Sequence, residues 1–332
     1  MTQNAPAPTV SIGLPVFNGE RYLDATIRSI LGQDFADLEL IVCDNASTDA
    51  TEEICRAHAA RDPRLAYHRQ PRNLGAGPNY DDCFHRARGR YFKWAAHDDL
   101  LAPDYLSRAV AALDAVPEAV LCTTGITEIG PEGEVLRRYA NRFPGIEAAE
   151  PARRFAAVIH TTHQCEDFFG LFRRAALVGS NLHGTYSGSD RVLLAEMALR
   201  GPWVSVPAPV FLHREHPHRY TRALLLKDRR EAALWQDSSA AAQRATTQFH
   251  LNVWRHYWRA VARSVADPEA RRACEVELFR WWLTDGHAAD VARDLARAAS
   301  PRLLAVLGGA KRALFGRGRR ETTPPGALPP VA

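Results

Sequence analysis

No stretch of this 332-residue chain holds the roughly 18 to 20 consecutive apolar residues that a bilayer crossing requires, so a helical membrane span is not expected. Met1 to Pro8 lacks the charged-then-apolar order of a secretory signal, and the expected location is therefore the cytoplasm. There is no Cys-x-x-Cys pair; Cys43, Cys55, Cys83, Cys122, Cys165 and Cys274 are scattered, which argues against a zinc framework and for reduced, packed thiols. Charge is nearly balanced, at a net +4, and gives no reason to expect a nucleic-acid partner. No internal repeat suggests a solenoid. What is present, 46% apolar and 24% charged residues, is an ordinary globular composition on a chain long enough to bury a sizeable core.

Short apolar runs alternate with helical spacing through the first third. Val10–Leu14 reads as a strand, and Tyr22, Leu23, Ile27, Ile30 and Leu31 then recur on one helix face. Leu38–Cys43 is a second strand; the following helix runs through Ala60, with Asp49 and Glu52 expected to cap its start. A third strand near Leu65–His68 leads to a helix from Pro78, and a fourth is the aromatic run from Tyr91 to Trp94. Such alternation predicts a parallel sheet, because right-handed crossovers are nearly obligatory. Polar residues collect after each strand: Asn18 and Glu20, Asp44 and Asn45, Arg72 and Asn73, then His97, Asp98 and Asp99. Parallel strands bring such loops to one sheet edge, where ligands bind. Adjacent carboxylates there suit a divalent cation holding a diphosphate; taken singly, they would be solvated acids at a helix start.

Further on, Tyr105–Val116 reads as a helix and Ala119–Thr124 as a strand, with a hairpin turn at Gly130-Pro131-Glu132-Gly133. Arg137–Pro151 reads as an irregular loop, Phe168–Phe172 as a strand, Ser189–Leu199 as a helix, and Trp203–Val206 and Val210–His213 as two short strands. Beyond Arg222 the chain turns into Ala-, Arg- and Trp-rich helical sequence. The expected division is a flexible 1–8, a main domain over 9–222 with a nucleotide half (9–124) and an acceptor half (125–222), a helical region over 223–320 and a disordered tail over 321–332. Leu303 to Phe315 with Lys311, Arg312, Arg317, Arg319 and Arg320 fits either an interfacial helix on an anionic membrane or a helix packed on its own domain or a second subunit.

The order of these motifs resembles the family 2 glycosyltransferases, inverting enzymes of the GT-A (Rossmann-like) α/β fold. The pieces are Pro15-Val16-Phe17-Asn18; Ile41 to Asp49; Arg72-Asn73-Leu74-Gly75; and Ala87-Arg88-Gly89-Arg90-Tyr91 leading into His97-Asp98-Asp99. The resemblance is clear over Val10–Ala115 and weaker to Arg219. It implies a mostly parallel sheet flanked by helices, here with a C-terminal helical appendage, and transfer of a sugar from a nucleotide-diphosphate donor, a UDP-sugar by preference, to a hydroxyl of a glycan, lipid carrier or small molecule, in cell-surface polysaccharide or glycoconjugate synthesis.

By the same resemblance, Asp44 accepts a hydrogen bond from the nucleobase, the Pro15–Phe17 backbone lines its pocket, and Asn18, Glu20, Asn45 and Gly75 belong to the same donor site. Arg72 and Asn73 hold the nucleotide, Asp98 and Asp99 a Mn²⁺ or Mg²⁺ ion, and His216 reaches the metal or diphosphate. Asp190 is the base that takes the acceptor proton, with Glu166 and Asp167 in reserve. Ala96 stands where the family carries a further carboxylate, which throws the weight onto Asp98 with His97 beside it. Two alternatives stay open: a non-catalytic nucleotide-sugar or glycan-binding protein, and a nucleotidyltransferase, although Pro15–Gly19 is no glycine-rich phosphate loop.

Overall fold

A computed structural model describes residues 6–217, 219 and 248–299. Three strand–helix units open the chain: β1 (Val10–Val16) and α1 (Leu23–Leu31), β2 (Leu38–Asp44) and α2 (Thr51–Ala59), β3 (Leu65–Arg69) and α3 (Ala76–Arg86). β1 and β2 are buried at every position, as expected of strands covered by helices on both faces. β4 (Tyr91–Trp94) lies beside β1, so β3, β2, β1 and β4 run parallel in that spatial order. The sheet then changes direction. β8 (Leu171–Arg173) pairs antiparallel with β4 and with β6 (Leu121–Ile129), and β6 continues into β9 (Trp203–Arg214) and β5 (Leu100–Leu101), making a nine-stranded mixed sheet.

Local structure departs from the sequence pattern at a few points. Asp98 and Asp99 sit between β4 and the two-residue β5, and only then does α4 (Tyr105–Ala115) begin. The start of α2 is held from across the loop: Glu20 Oε2 accepts from the Ala50 N–H, and Asp49 accepts from Glu20 and Thr51. The hairpin turn forms, but Val135–Tyr139 after it is a strand, β7, paired with β6 although its side chains are largely exposed. The two short strands over 203–213 are one, β9, whose register shifts opposite Gly125; a Cβ there would meet Pro207 O at 2.6 Å.

The second half adds α5 (Pro151–Ile159), a 3₁₀ turn (Glu166–Phe169), the short α6 (Arg174–Leu177) and α7 (Ser189–Arg200). Three helices follow: α8 (Phe249–Ser264), α9 (Pro268–Leu283) and α10 (His287–Ala299). They are no loose appendage. Tyr257, Val261, Leu278 and Trp281 join one core cluster with Phe155 of α5 and Leu193 of α7. Each such side chain contributes about 1.5–3 kcal/mol by leaving water. An ionic clasp reinforces the seam: Glu196 of α7, fully buried, accepts from Arg200 at 2.6 Å and from Arg263 of α8 at 2.9 and 2.7 Å. All six cysteines are buried free thiols, as their scatter suggested. No helix among the described residues is long and apolar enough to cross a membrane. The basic segment over 303–320, the tail over 321–332 and residues 1–5 of the N-terminus lie outside the described residues.

Candidate active site

The four polar loops do meet along the ends of β1–β4. Asn18 adopts a left-handed conformation (φ 52°), tolerable for Asn, and its side-chain oxygen accepts the Thr48 N–H at 2.8 Å. Asn18 N–H donates to Ser47 Oγ at 2.9 Å, and Gly19 N–H to Thr51 Oγ1. These bonds lace the loop after β1 to the loop after β2, leaving Phe17 42% exposed at the rim. Asn45 clamps the next loop: its amide donates to Asn73 Oδ1 and Gly75 O at 2.9 and 3.0 Å, and its oxygen accepts from Leu74 N–H at 2.8 Å. Arg72 stands exposed on that clamped loop. Asp44 is wholly buried, and its carboxylate accepts from Ser47 N–H, Tyr67 and Arg69.

Around the opening aspartates the chain's two halves interlock. Asp98 Oδ2 lies 2.9 Å from His216 Nε2, 118 positions later. Burial presses the Asp98 carboxyl upward, but His97, the bond from His216 and the charge of Arg219 outweigh it and hold the group well below the usual carboxylate range. Asp98 is thus an anion with the His216 imidazole bonded to it and His97 beside it. Asp99 turns toward β9, accepting from Arg214 N–H at 2.8 Å and lying 3.2 Å from His213 Nδ1. Arg214 in turn donates to Asp98 O, Gly130 O and Pro131 O, pinning the β6–β7 turn to the aspartate loop. His97 packs its ring against Gly19, where a Cβ would meet it at 3.0 Å. Among the described residues no three or more His, Cys, Asp or Glu side chains form a metal cluster; the donor set the fold assembles is Asp98 with His216.

Asp190 lies in the first turn of α7, behind the left-handed Gly188 (φ 85°), where Phe249 and Val253 of α8 leave no room for a Cβ. The helix's N-cap is Gly188, which has no side chain to offer, and the Asp190 Oδ1 accepts the first-turn N–H of Arg191 at 2.8 Å. Tyr80 lies within charge range of both Asp98 and Asp190. Burial first, then the nearby Asp98, Asp99 and Asp190 charges, keep its phenol firmly protonated. Its ring stacks on His183 at 4.4 Å, and Asp190 counteracts the burial that makes His183 hard to protonate. A close backbone approach supports this crossing: a Cβ on Gly77 would meet Gly184 O at 2.4 Å. Glu166, in the 3₁₀ turn with Asp167, lies within charge range of His213, the partner of Asp99. Both carboxylates share the Asn141 amide and line a small, partly open pocket with Thr123, Thr124 and Phe211.

Residues 11–178 match the glycosyl transferase family 2 profile, half of the chain. The chain is a family 2 glycosyltransferase. An uncharacterized glycosyltransferase of Rickettsia typhi is 33% identical over 114 residues, 34% of this chain and 35% of that protein, so the match spans about a third of the relative's length. S. aureus TarS 1-349, in complex with UDP-GlcNAc, superposes with a TM-score of 0.61 over 89% of this chain and 82% of that chain, at 16% identity. The mannosyltransferase PcManGT of Pyrobaculum calidifontis, in complex with GDP-Man and Mn²⁺, does so with a TM-score of 0.54 over 94% and 82%, at 19% identity. At such identities the likeness is one of fold, the GT-A arrangement the resemblance implied. Within this glycosyltransferase, Asp98, Asp99, His97 and His216 come together, the Asp190 charge is felt at Tyr80 and His183, and the Glu166 charge at His213 beside Asp99. Tyr80, His183, His213 and Arg214 were not visible as site residues in the sequence; the only signal was the cluster of basic residues from Arg214 to Arg219.

Proposed function

We propose that this glycosyltransferase moves a sugar, with inversion, from a nucleotide-diphosphate donor to a hydroxyl of a glycan, lipid-linked or small-molecule acceptor, with Mn²⁺ or Mg²⁺ assisting, in polysaccharide or glycoconjugate synthesis. The observation that carries it is Asp98, held ionised, with His216 Nε2 at 2.9 Å. One carboxylate and one imidazole leave a cation's other positions to diphosphate oxygens and water, and imidazole fits Mn²⁺ better than Mg²⁺. A bound ion supplies Lewis-acid neutralisation of the departing diphosphate. Asp99 positions rather than ligates, tying the aspartate loop to Arg214 and His213. Asp190, in the first turn of α7, takes the proton of the acceptor hydroxyl. The clamped loop carrying Arg72 and Asn73 presents the guanidinium to the phosphates.

The test is a panel of UDP-, GDP-, CDP- and TDP-sugars incubated with and without Mn²⁺, following diphosphate release. Metal-dependent release from one donor class supports the reading. Binding of donors with no turnover, with or without added acceptors, would sink it.

A further inference from the structure

Helix α9 is apolar on two faces. Cys274, Leu278 and Trp281 are buried in the core that it shares with α5 and α7. On the opposite side Val276, Phe279 and Leu283, at i, i+3 and i+7, form a stripe that is 57%, 63% and 66% exposed. Phe279 and Leu283 are the two most exposed large apolar side chains among the described residues. A helix apolar all round is ordinarily covered all round, and a contiguous apolar patch left in water marks a docking surface.

The stripe continues onto α8. Trp282, at its edge, meets Trp254 at 5.0 Å, and Trp254 meets Trp258, 36% exposed, at 6.5 Å. Exposed guanidinium groups surround this apolar and aromatic ground: Arg272 in line with the stripe, one turn before Val276, and Arg255 and Arg259 beside Trp258. Arg280 borders it too, paired with Glu277, which also holds His160. The remaining acids on this side are Glu269 and Glu275. Past α10 the charge becomes one-sided, since the sequence carries only basic charges from Arg302 to Arg320, with no acid before Glu321.

We infer that the α8–α9 face lies on an anionic lipid surface, with Val276, Phe279 and Leu283 entering the boundary between headgroups and acyl chains and the arginines meeting lipid phosphates. Each component suits that boundary. Tryptophan, an apolar body with one N–H, settles at headgroup level. Arginine stems lie along apolar surface while their charged ends stay in the polar layer. A single apolar contact holds a protein to a bilayer only weakly, and a basic segment is the usual second attachment, which the run from Arg302 supplies. The inference stands apart from the donor and metal readings.

Co-sedimentation of the full chain with vesicles of phosphatidylcholine alone, and of equal parts phosphatidylcholine and phosphatidylglycerol, tests it beside two double variants, Phe279→Ser with Leu283→Ser and Arg259→Glu with Arg272→Glu. The wild type should partition onto the phosphatidylglycerol vesicles about tenfold or more better than onto phosphatidylcholine, since each basic residue near an anionic surface is worth about a factor of five. Each double variant should lose about tenfold or more of that partition, with thermal unfolding unchanged, because the altered side chains face water in the free protein. Undiminished partition of the serine variant would overturn the inference and leave attachment to the basic run alone. Binding of the wild type to neither vesicle would overturn it as well. So would a dimer in sedimentation velocity that the serine variant abolishes, with no lipid binding, because the occupant would then be a second copy of the chain.

Discussion

Asp167 offers a perturbation whose sign and size follow from the structure. It is buried at 5% exposure in the 3₁₀ turn, shares the Asn141 amide with Glu166, and has its carboxyl pushed up to about 7, first by burial and then by the Glu166 charge, against the relief from Asn141. An unfolded aspartate titrates near 3.8. Between those values the folded chain holds a proton that the unfolded chain has lost, so this group's contribution to stability is full at low pH and falls as pH rises from about 4 to about 7. A rise from 3.8 to about 7, at about 1.4 kcal/mol for each pH unit, sets an upper bound on the order of 4 kcal/mol. Asp167→Asn removes the titration while keeping the shape. Urea unfolding of both chains from pH 4.5 to 8 gives a difference curve, which is the quantity to read, because burial pushes His163 down to about 3 and His256 down to about 4, and these contribute the opposite slope in both chains. Lys93, lowered to about 7 by burial, is protonated in both states over most of that range and adds little. The variant should gain on the wild type steadily up to pH 7 and level off. Parallel curves would refute the reasoning.

Three further outcomes follow from contacts in the structure. Asp190→Asn should lower kcat by about 10² to 10⁴-fold, the usual loss for a general base, while nucleotide affinity by titration stays near wild type; unchanged kcat would remove Asp190 from the chemistry. Glu196→Gln leaves Arg200 and Arg263 facing a neutral group across the α7–α8 seam, and breaking such a buried pair typically costs about 3–5 kcal/mol in denaturant unfolding; a loss under about 1 kcal/mol would show the clasp to be idle. Asn45→Ala should weaken nucleotide binding several-fold, with a loss of about 1–3 kcal/mol in stability, because the Arg72–Gly75 loop loses three hydrogen bonds; unaltered binding would mean the loop needs no clamp.

The first half of the fold was legible because β1, β2 and β4 are fully buried and read as short, mostly apolar runs. The second half hid its strands for physical reasons. β7 exposes its Val135 and Leu136 and carries two arginines, so no burial pattern marks it. β9 is interrupted by Pro207 and Pro209, which sit at its register shift against β6 and made it look like two pieces. The aspartates and the loops after the strands were visible as motifs. Tyr80 and Arg214 looked ordinary, because the His183 ring that stacks on the one and the aspartate loop that holds the other lie more than 100 positions away. The same holds for Asp44: spacing marked it as a site residue, but that it is held by Tyr67 and Arg69 is a fact of cross-strand register. Asn45, placed in the donor site by the resemblance, gains a definite part, since its amide secures the loop carrying Arg72.

The central claim is that Asp98, with His216, provides the protein's side of a divalent-ion and diphosphate grip. The most direct measurement is Mn²⁺ binding followed by electron paramagnetic resonance in the presence of UDP or GDP, comparing the wild-type chain with Asp98→Asn. Tight, nucleotide-dependent Mn²⁺ binding that falls at least about tenfold in Asp98→Asn, with thermal unfolding otherwise intact, is the predicted result. Equal Mn²⁺ affinity in the two chains, or none in either, would contradict it.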